Sequence, residues 1–107
     1  METMDKIKQQ IATNKIILYM KGRPDMPQCG FSFKAVQALQ ACGCEFAYVD
    51  VLQNPDIRAT LPEYANWPTF PQLYIQGKLI GGCDIILQLH EQGELQKLVN
   101  ITMVDSA

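Results

Sequence analysis

Met4, Ile7 and Ile11 recur at three- and four-residue spacing among charged and amide side chains, which predicts an opening amphipathic helix that ends near Asn14. The run Ile16–Met20 is apolar throughout, as in a short strand buried on both faces. Residues 21–28, with two prolines and a glycine, read as a loop. Phe31, Ala35, Leu39 and Cys42 then share one helical face, Gly43 stops that helix, and residues 46–51 form a strand rich in aromatic and β-branched side chains. Asn54-Pro55-Asp56 opens the next helix, with Asn54 as cap, Pro55 at the first position and Asp56 at the positive end of the dipole. Its buried stripe is Ile57, Leu61 and Tyr64, and Trp67-Pro68-Thr69-Phe70-Pro71 breaks the pattern. Residues 73–75 and 78–80 flank Gln76-Gly77 as a β-hairpin, with glycine available for a positive φ. Two final helices carry Ile85, Ile86 and Leu89, then Leu95, Leu98 and Val99.

The order α-β-α-β-α-β-β-α-α is that of an α/β fold. Strands joined through helices lie parallel with right-handed crossovers, and the hairpin adds antiparallel pairing, giving a small four-stranded mixed sheet with helices on both faces. A length of 107 residues, 48% hydrophobic, suits one compact domain over residues 1–107. Nine basic against eleven acidic side chains leave a net charge of -2, with no basic footprint for nucleic acid and no polybasic membrane anchor. The N-terminus has no signal or transit pattern, so a cytoplasmic location and reduced cysteines are expected.

Cys29 lies where a helix begins, facing unsatisfied N–H groups and the positive end of the dipole, which favour thiolate over thiol; Lys21 adds a cation across the loop. A disulfide-exchanging site usually reads Cys-x-x-Cys, but Ser32 stands in the second place. Cys29 must therefore finish each reaction with a thiol from solution or act as a metal ligand. Cys42 and Cys44 read as packing, with a resolving role as the alternative. The Phe70-Pro71 bond is either a simple strand start or a cis bond that presents the Phe70 backbone as an edge for an extended peptide. Gly81-Gly82-Cys83-Asp84 is either an ordinary turn capped by Asp84 or a place where a backbone approaches closely, with helix N–H groups for a carboxylate and Asp84 for an ammonium. On residue type alone Arg58, Lys21 and His90 are surface positions, and Trp67 and Met20 are packing.

Together, Lys21-Gly22, Pro27-Gln28-Cys29-Gly30-Phe31-Ser32, Trp67-Pro68-Thr69-Phe70-Pro71-Gln72-Leu73 and Gly81-Gly82-Cys83-Asp84 resemble the monothiol glutaredoxins of the CGFS class, in family order and over almost the whole chain. The resemblance is to the short, single-domain bacterial form, and it implies a thioredoxin-like fold, a cis bond before Pro71 and a glutathione groove beside Cys29. It implies that Lys21 and Arg58 hold the glycine carboxylate of glutathione, that the Phe70 backbone pairs with its cysteine, and that Cys83 and Asp84 take the γ-glutamyl end. It further implies a [2Fe-2S] cluster bridging a homodimer, with Cys29 and one glutathione from each subunit as ligands. The role expected from it is cluster transfer to iron–sulfur acceptor proteins. The alternatives are a weak glutathione-dependent thiol-disulfide oxidoreductase and an iron-responsive partner of a BolA-type protein. Cys44 and Arg23 depart from the family pattern: one is an additional thiol, the other an added charge near the binding loop.

Overall fold

Every residue of Ile16–Met20 is buried, and this strand, β1, is the element on which the others pack. The computed structural model describes residues 2–104. In chain order the elements are α1 (Thr3–Thr13), β1, β2 (Gly22–Arg23), β3 (Met26–Pro27), α2 (Gly30–Ala41), β4 (Ala47–Asp50), α3 (Pro55–Ala65), β5 (Gln72–Ile75), β6 (Lys78–Gly81), α4 (Cys83–Glu91) and α5 (Glu94–Val104). The main sheet runs β4-β1-β5-β6. β1 and β4 are parallel, pairing Ile17 with Ala47, whereas β1–β5 and β5–β6 are antiparallel. This is the thioredoxin-like arrangement.

Alternate side chains of a strand point to opposite faces, and β1 divides accordingly. Ile16, Leu18 and Met20 join Leu39, Ile86 and Leu95 under α2, α4 and α5, while Ile17 and Tyr19 join Ile7, Ile11, Ile57 and Leu61 under α1 and α3. Covering both faces explains the unbroken apolar run, since each large side chain removed from water contributes roughly 1.5–3 kcal/mol. The hairpin turn has positive φ at both Gln76 (52°) and Gly77 (80°), as a two-residue turn matched to strand twist requires.

Several expectations need correction. Residues 21–28 are not all loop: Gly22 pairs with Pro27 and Arg23 with Met26 in a miniature ladder. Phe31 is 61% exposed and leaves the buried stripe, because the first turn of α2 borders an open groove instead of the sheet. Tyr64, in the last turn of α3, is also exposed, as suits a ring with a polar tip. Asn54 occupies the cap position without capping, since its side-chain amide donates to the Asp50 carbonyl at 2.9 Å.

Candidate active site

Cys29 is the N-cap of α2, with extended backbone (φ −152°, ψ 151°), so its side chain folds back over the first helical turn. Its sulfur accepts the Ser32 N–H at 3.4 Å and lies 3.5 Å from the Ser32 hydroxyl oxygen. That oxygen, fully buried, already accepts the Lys21 N–H at 3.0 Å, so the hydroxyl proton is free to point at the sulfur. Partial burial pushes the Cys29 thiol up, but the Ser32 hydroxyl, the N–H groups of Ser32 and Phe31 and the Lys21 charge outweigh it and hold the group below the ordinary thiol value. Burial pushes Cys42, Cys44 and Cys83 the other way. Among the described residues, Cys29 is the one thiol shifted toward the thiolate.

The loop leading to Cys29 is held by Gly22 and Asp50. Gly22 has φ +93°, and a Cβ there would lie 2.6 Å from both the Gln28 nitrogen and the Met26 oxygen, which no side chain tolerates. One Asp50 carboxylate oxygen accepts the N–H groups of Gly22 and Leu52, each at 2.9 Å, and the Gln28 N–H returns to the Lys21 carbonyl at 2.9 Å. These bonds keep Lys21 beside the thiol.

A groove of about 690 Å³ opens next to this turn. Lys21, Arg58, Phe70, Cys83 and Asp84, all nominated from sequence, line it. Cys29 does not line it; its neighbour Phe31 does, and Cys29 stands within electrostatic reach of Lys21 and Cys83. Lys21 and Arg58 have no ion-pair partner among the described residues. The Phe70-Pro71 bond is cis. Asp84 is exposed in the first turn of α4 and is not its cap, which is Gly82. Close backbone approach at Gly82 is already taken up within the chain, since a Cβ there would meet the Pro71 carbonyl and the Trp67 indole nitrogen, each at 3.3 Å. Arg23 lies outside the groove and pairs with Asp25 at 3.5 Å.

Residues 16–80, more than half of the chain, match the glutaredoxin family. The chain belongs to that family. It is 65% identical over 100 residues to Glutaredoxin 4 of Escherichia coli (strain K12), covering 94% of this chain and 87% of that protein. A second Glutaredoxin 4, from Pasteurella multocida (strain Pm70), is 65% identical over 99 residues, covering 92% and 91%. Among solved structures, reduced poplar apo GrxS14 superposes with a TM-score of 0.80 at 44% identity, covering 94% of this chain and 93% of that one. The resemblance carried by Cys29-Gly30-Phe31-Ser32 and its companion blocks thus holds.

Within this glutaredoxin, three contributions escaped the sequence. Ser32 is a hydrogen-bonding partner of the sulfur and not just a missing thiol. Trp67 forms part of the groove wall. Gln72, fully buried, donates to the carbonyls of Trp67 at 3.0 Å and Thr69 at 3.3 Å, behind the groove. A polar residue opening an otherwise apolar strand was the available signal for it.

Proposed function

We propose that this glutaredoxin carries a [2Fe-2S] cluster as cargo, using the Cys29 thiolate and bound glutathione as ligands in a cluster-bridged homodimer, and hands it to acceptor proteins. The observation that carries this is a partly exposed thiol with a lowered pKa at a helix start, beside a groove with two cations and one carboxylate that have no ion-pair partner among the described residues. Glutathione has complementary chemistry: two carboxylates for Lys21, Arg58 and the α4 N-terminus, an ammonium for Asp84, and an extended backbone for Phe70. An exposed thiolate is a soft donor suited to iron–sulfur clusters. Among the described residues, no group of three His, Cys, Asp or Glu side chains could hold a metal together. Two chains, each giving Cys29 and one bound glutathione, would supply the four thiolates of such a cluster. The acceptors, a BolA-type protein among the candidate partners, and the cytoplasmic setting belong to the same proposal.

The downward shift of the Cys29 thiol, set by Ser32, the helix N–H groups and Lys21, favours one other reading, that of a glutathione-dependent oxidoreductase. There the Cys29 thiolate attacks the glutathione sulfur of a mixed disulfide R–S–SG, forming Cys29–S–SG and releasing RS⁻. A second glutathione thiolate then displaces Cys29 to give glutathione disulfide, since Ser32 cannot form an internal one. Visible absorption of anaerobically purified protein, paired with a reductase assay on a glutathionylated substrate, separates the two. Coloured protein with little reductase activity supports the carrier, whereas colourless protein with fast turnover rejects it.

A further inference from the structure

We infer that Gln72 is the positioning residue of the groove, fixing the 67–70 loop from inside the core so that the Phe70 backbone is the edge left for a ligand. The inference deepens the reading of the groove as a glutathione site and rests on it.

Gln72 is the first residue of β5 and has no exposed surface. A carboxamide placed there without partners would be strongly unfavourable, yet every end of it is occupied. Its nitrogen donates both protons, to the Trp67 and Thr69 carbonyls, and its oxygen accepts the Tyr74 hydroxyl at 2.9 Å. Tyr74 is itself immobilised, buried and packed edge-on against Tyr19 with centroids 5.7 Å apart. The bonds therefore run from a rigid ring in the sheet, through one amide, to two carbonyls of the groove wall.

The polar groups of the loop show what this achieves. Pro68 and Pro71 have no N–H. The Trp67 N–H goes to the Pro62 carbonyl at 3.1 Å, the Trp67 and Thr69 carbonyls go to Gln72, and the Pro71 carbonyl abuts Gly82. Phe70, which lines the groove, keeps both backbone groups without a partner among the described residues; the Pro68 carbonyl and the Thr69 N–H are the other unpaired backbone groups of the stretch, and Phe70 is the residue with both available. An apolar side chain at position 72 would strand two inward carbonyls, and the loop would rotate them toward water, taking Phe70 out of register. The Trp67 indole N–H is buried without a hydrogen-bond partner among the described residues, so packing against Gly82 does not anchor the loop by a second polar contact.

Trp67 is the only tryptophan of the chain, which makes its fluorescence a direct probe of the loop. Gln72→Met keeps the volume and removes the bonds. The expected result is a folded protein by far-UV circular dichroism, with Trp67 more readily quenched by acrylamide and glutathione affinity by calorimetry reduced about tenfold. The pH profile of Cys29 alkylation should not change, whereas general loosening of the fold would move it. Tyr74→Phe should shift quenching and affinity the same way by less, and the double variant should be no worse than Gln72→Met alone. If Gln72→Met does not fold, Tyr74→Phe decides by the same two readouts. Unchanged quenching and unchanged affinity overturn the inference. Should the wild type bind no glutathione, the functional reading fails separately, and Trp67 quenching alone decides whether Gln72 holds the loop.

Discussion

The Ser32 hydroxyl oxygen lies 3.5 Å from the sulfur of Cys29 while accepting the Lys21 N–H at 3.0 Å, so one buried residue ties the thiol to the cationic loop. In a site with two cysteines the corresponding position would supply a second sulfur. Here it places a hydroxyl beside the first, which hydrogen-bonds and so stabilises the thiolate form without offering a route to an internal disulfide.

Ser32→Ala is expected to raise the Cys29 pKa toward the ordinary thiol value, because it removes the side-chain contribution that opposes burial. Iodoacetamide alkylation followed against pH should show its midpoint move upward. The sign of the linkage follows: a thiol whose folded pKa is depressed adds stability above its unfolded pKa, and that stability is lost as pH falls through the folded value. The wild type should therefore gain stability over the variant at alkaline pH and lose that margin on acidification. An unchanged alkylation midpoint would contradict the role given to the hydroxyl.

Removing the two unpaired cations should weaken glutathione binding without unfolding the protein. Each charge-assisted contact contributes on the order of 1.5–3 kcal/mol when well formed, and exposed Arg58 should account for less than half-buried Lys21. Calorimetry on Lys21→Ala, Arg58→Ala and the double variant checks this, and wild-type affinity in the double variant would reject the assigned groove.

Gly22→Ala is expected to destabilise the protein by more than about 2 kcal/mol, since a positive φ combines with a collision against two backbone atoms. Gly43→Ala shares a positive φ (70°) but its Cβ would enter open space, so about 1 kcal/mol is expected. Urea denaturation of the two variants tests the difference, and similar midpoints would show that the 21–28 turn yields easily.

If the protein carries a cluster, Cys29→Ser should be a colourless, folded monomer, whereas Cys44→Ser should keep both colour and dimer. Cys44 is buried and donates a hydrogen bond to the Leu39 carbonyl at 3.5 Å, and its thiol is pushed up by burial. Exchange of holoprotein into glutathione-free buffer should bleach it and halve its apparent size together. Size-exclusion chromatography with absorbance detection follows both, and a cluster retained by Cys29→Ser would exclude the proposed ligand set.

The sequence by itself determined the order of the helices and of the four main-sheet strands, because their signals are local, while the short β2–β3 ladder escaped it. The apolar run Ile16–Met20 is β1 to the residue, and Pro55 marks the first position of α3. It also determined which side chains meet at the groove, through motif blocks whose family resemblance carried Lys21, Arg58, Phe70, Cys83 and Asp84 together. Tertiary structure alone decided how those residues are held. Phe31 follows the helical period of Ala35 and Leu39, yet whether a stripe position is buried depends on what the fold places opposite it, and opposite Phe31 there is a groove. Asn54 has a capping side chain, but in the fold its amide nitrogen donates to the Asp50 carbonyl and its oxygen makes no cap bond. Ser32 meets the Lys21 N–H 11 residues back and the Cys29 sulfur three back, and Gln72 meets carbonyls three and five residues back; sequence spacing does not show these bonds, because the backbone path of the turn and loop decides which donor or acceptor comes within 3 or 3.5 Å of a buried polar group.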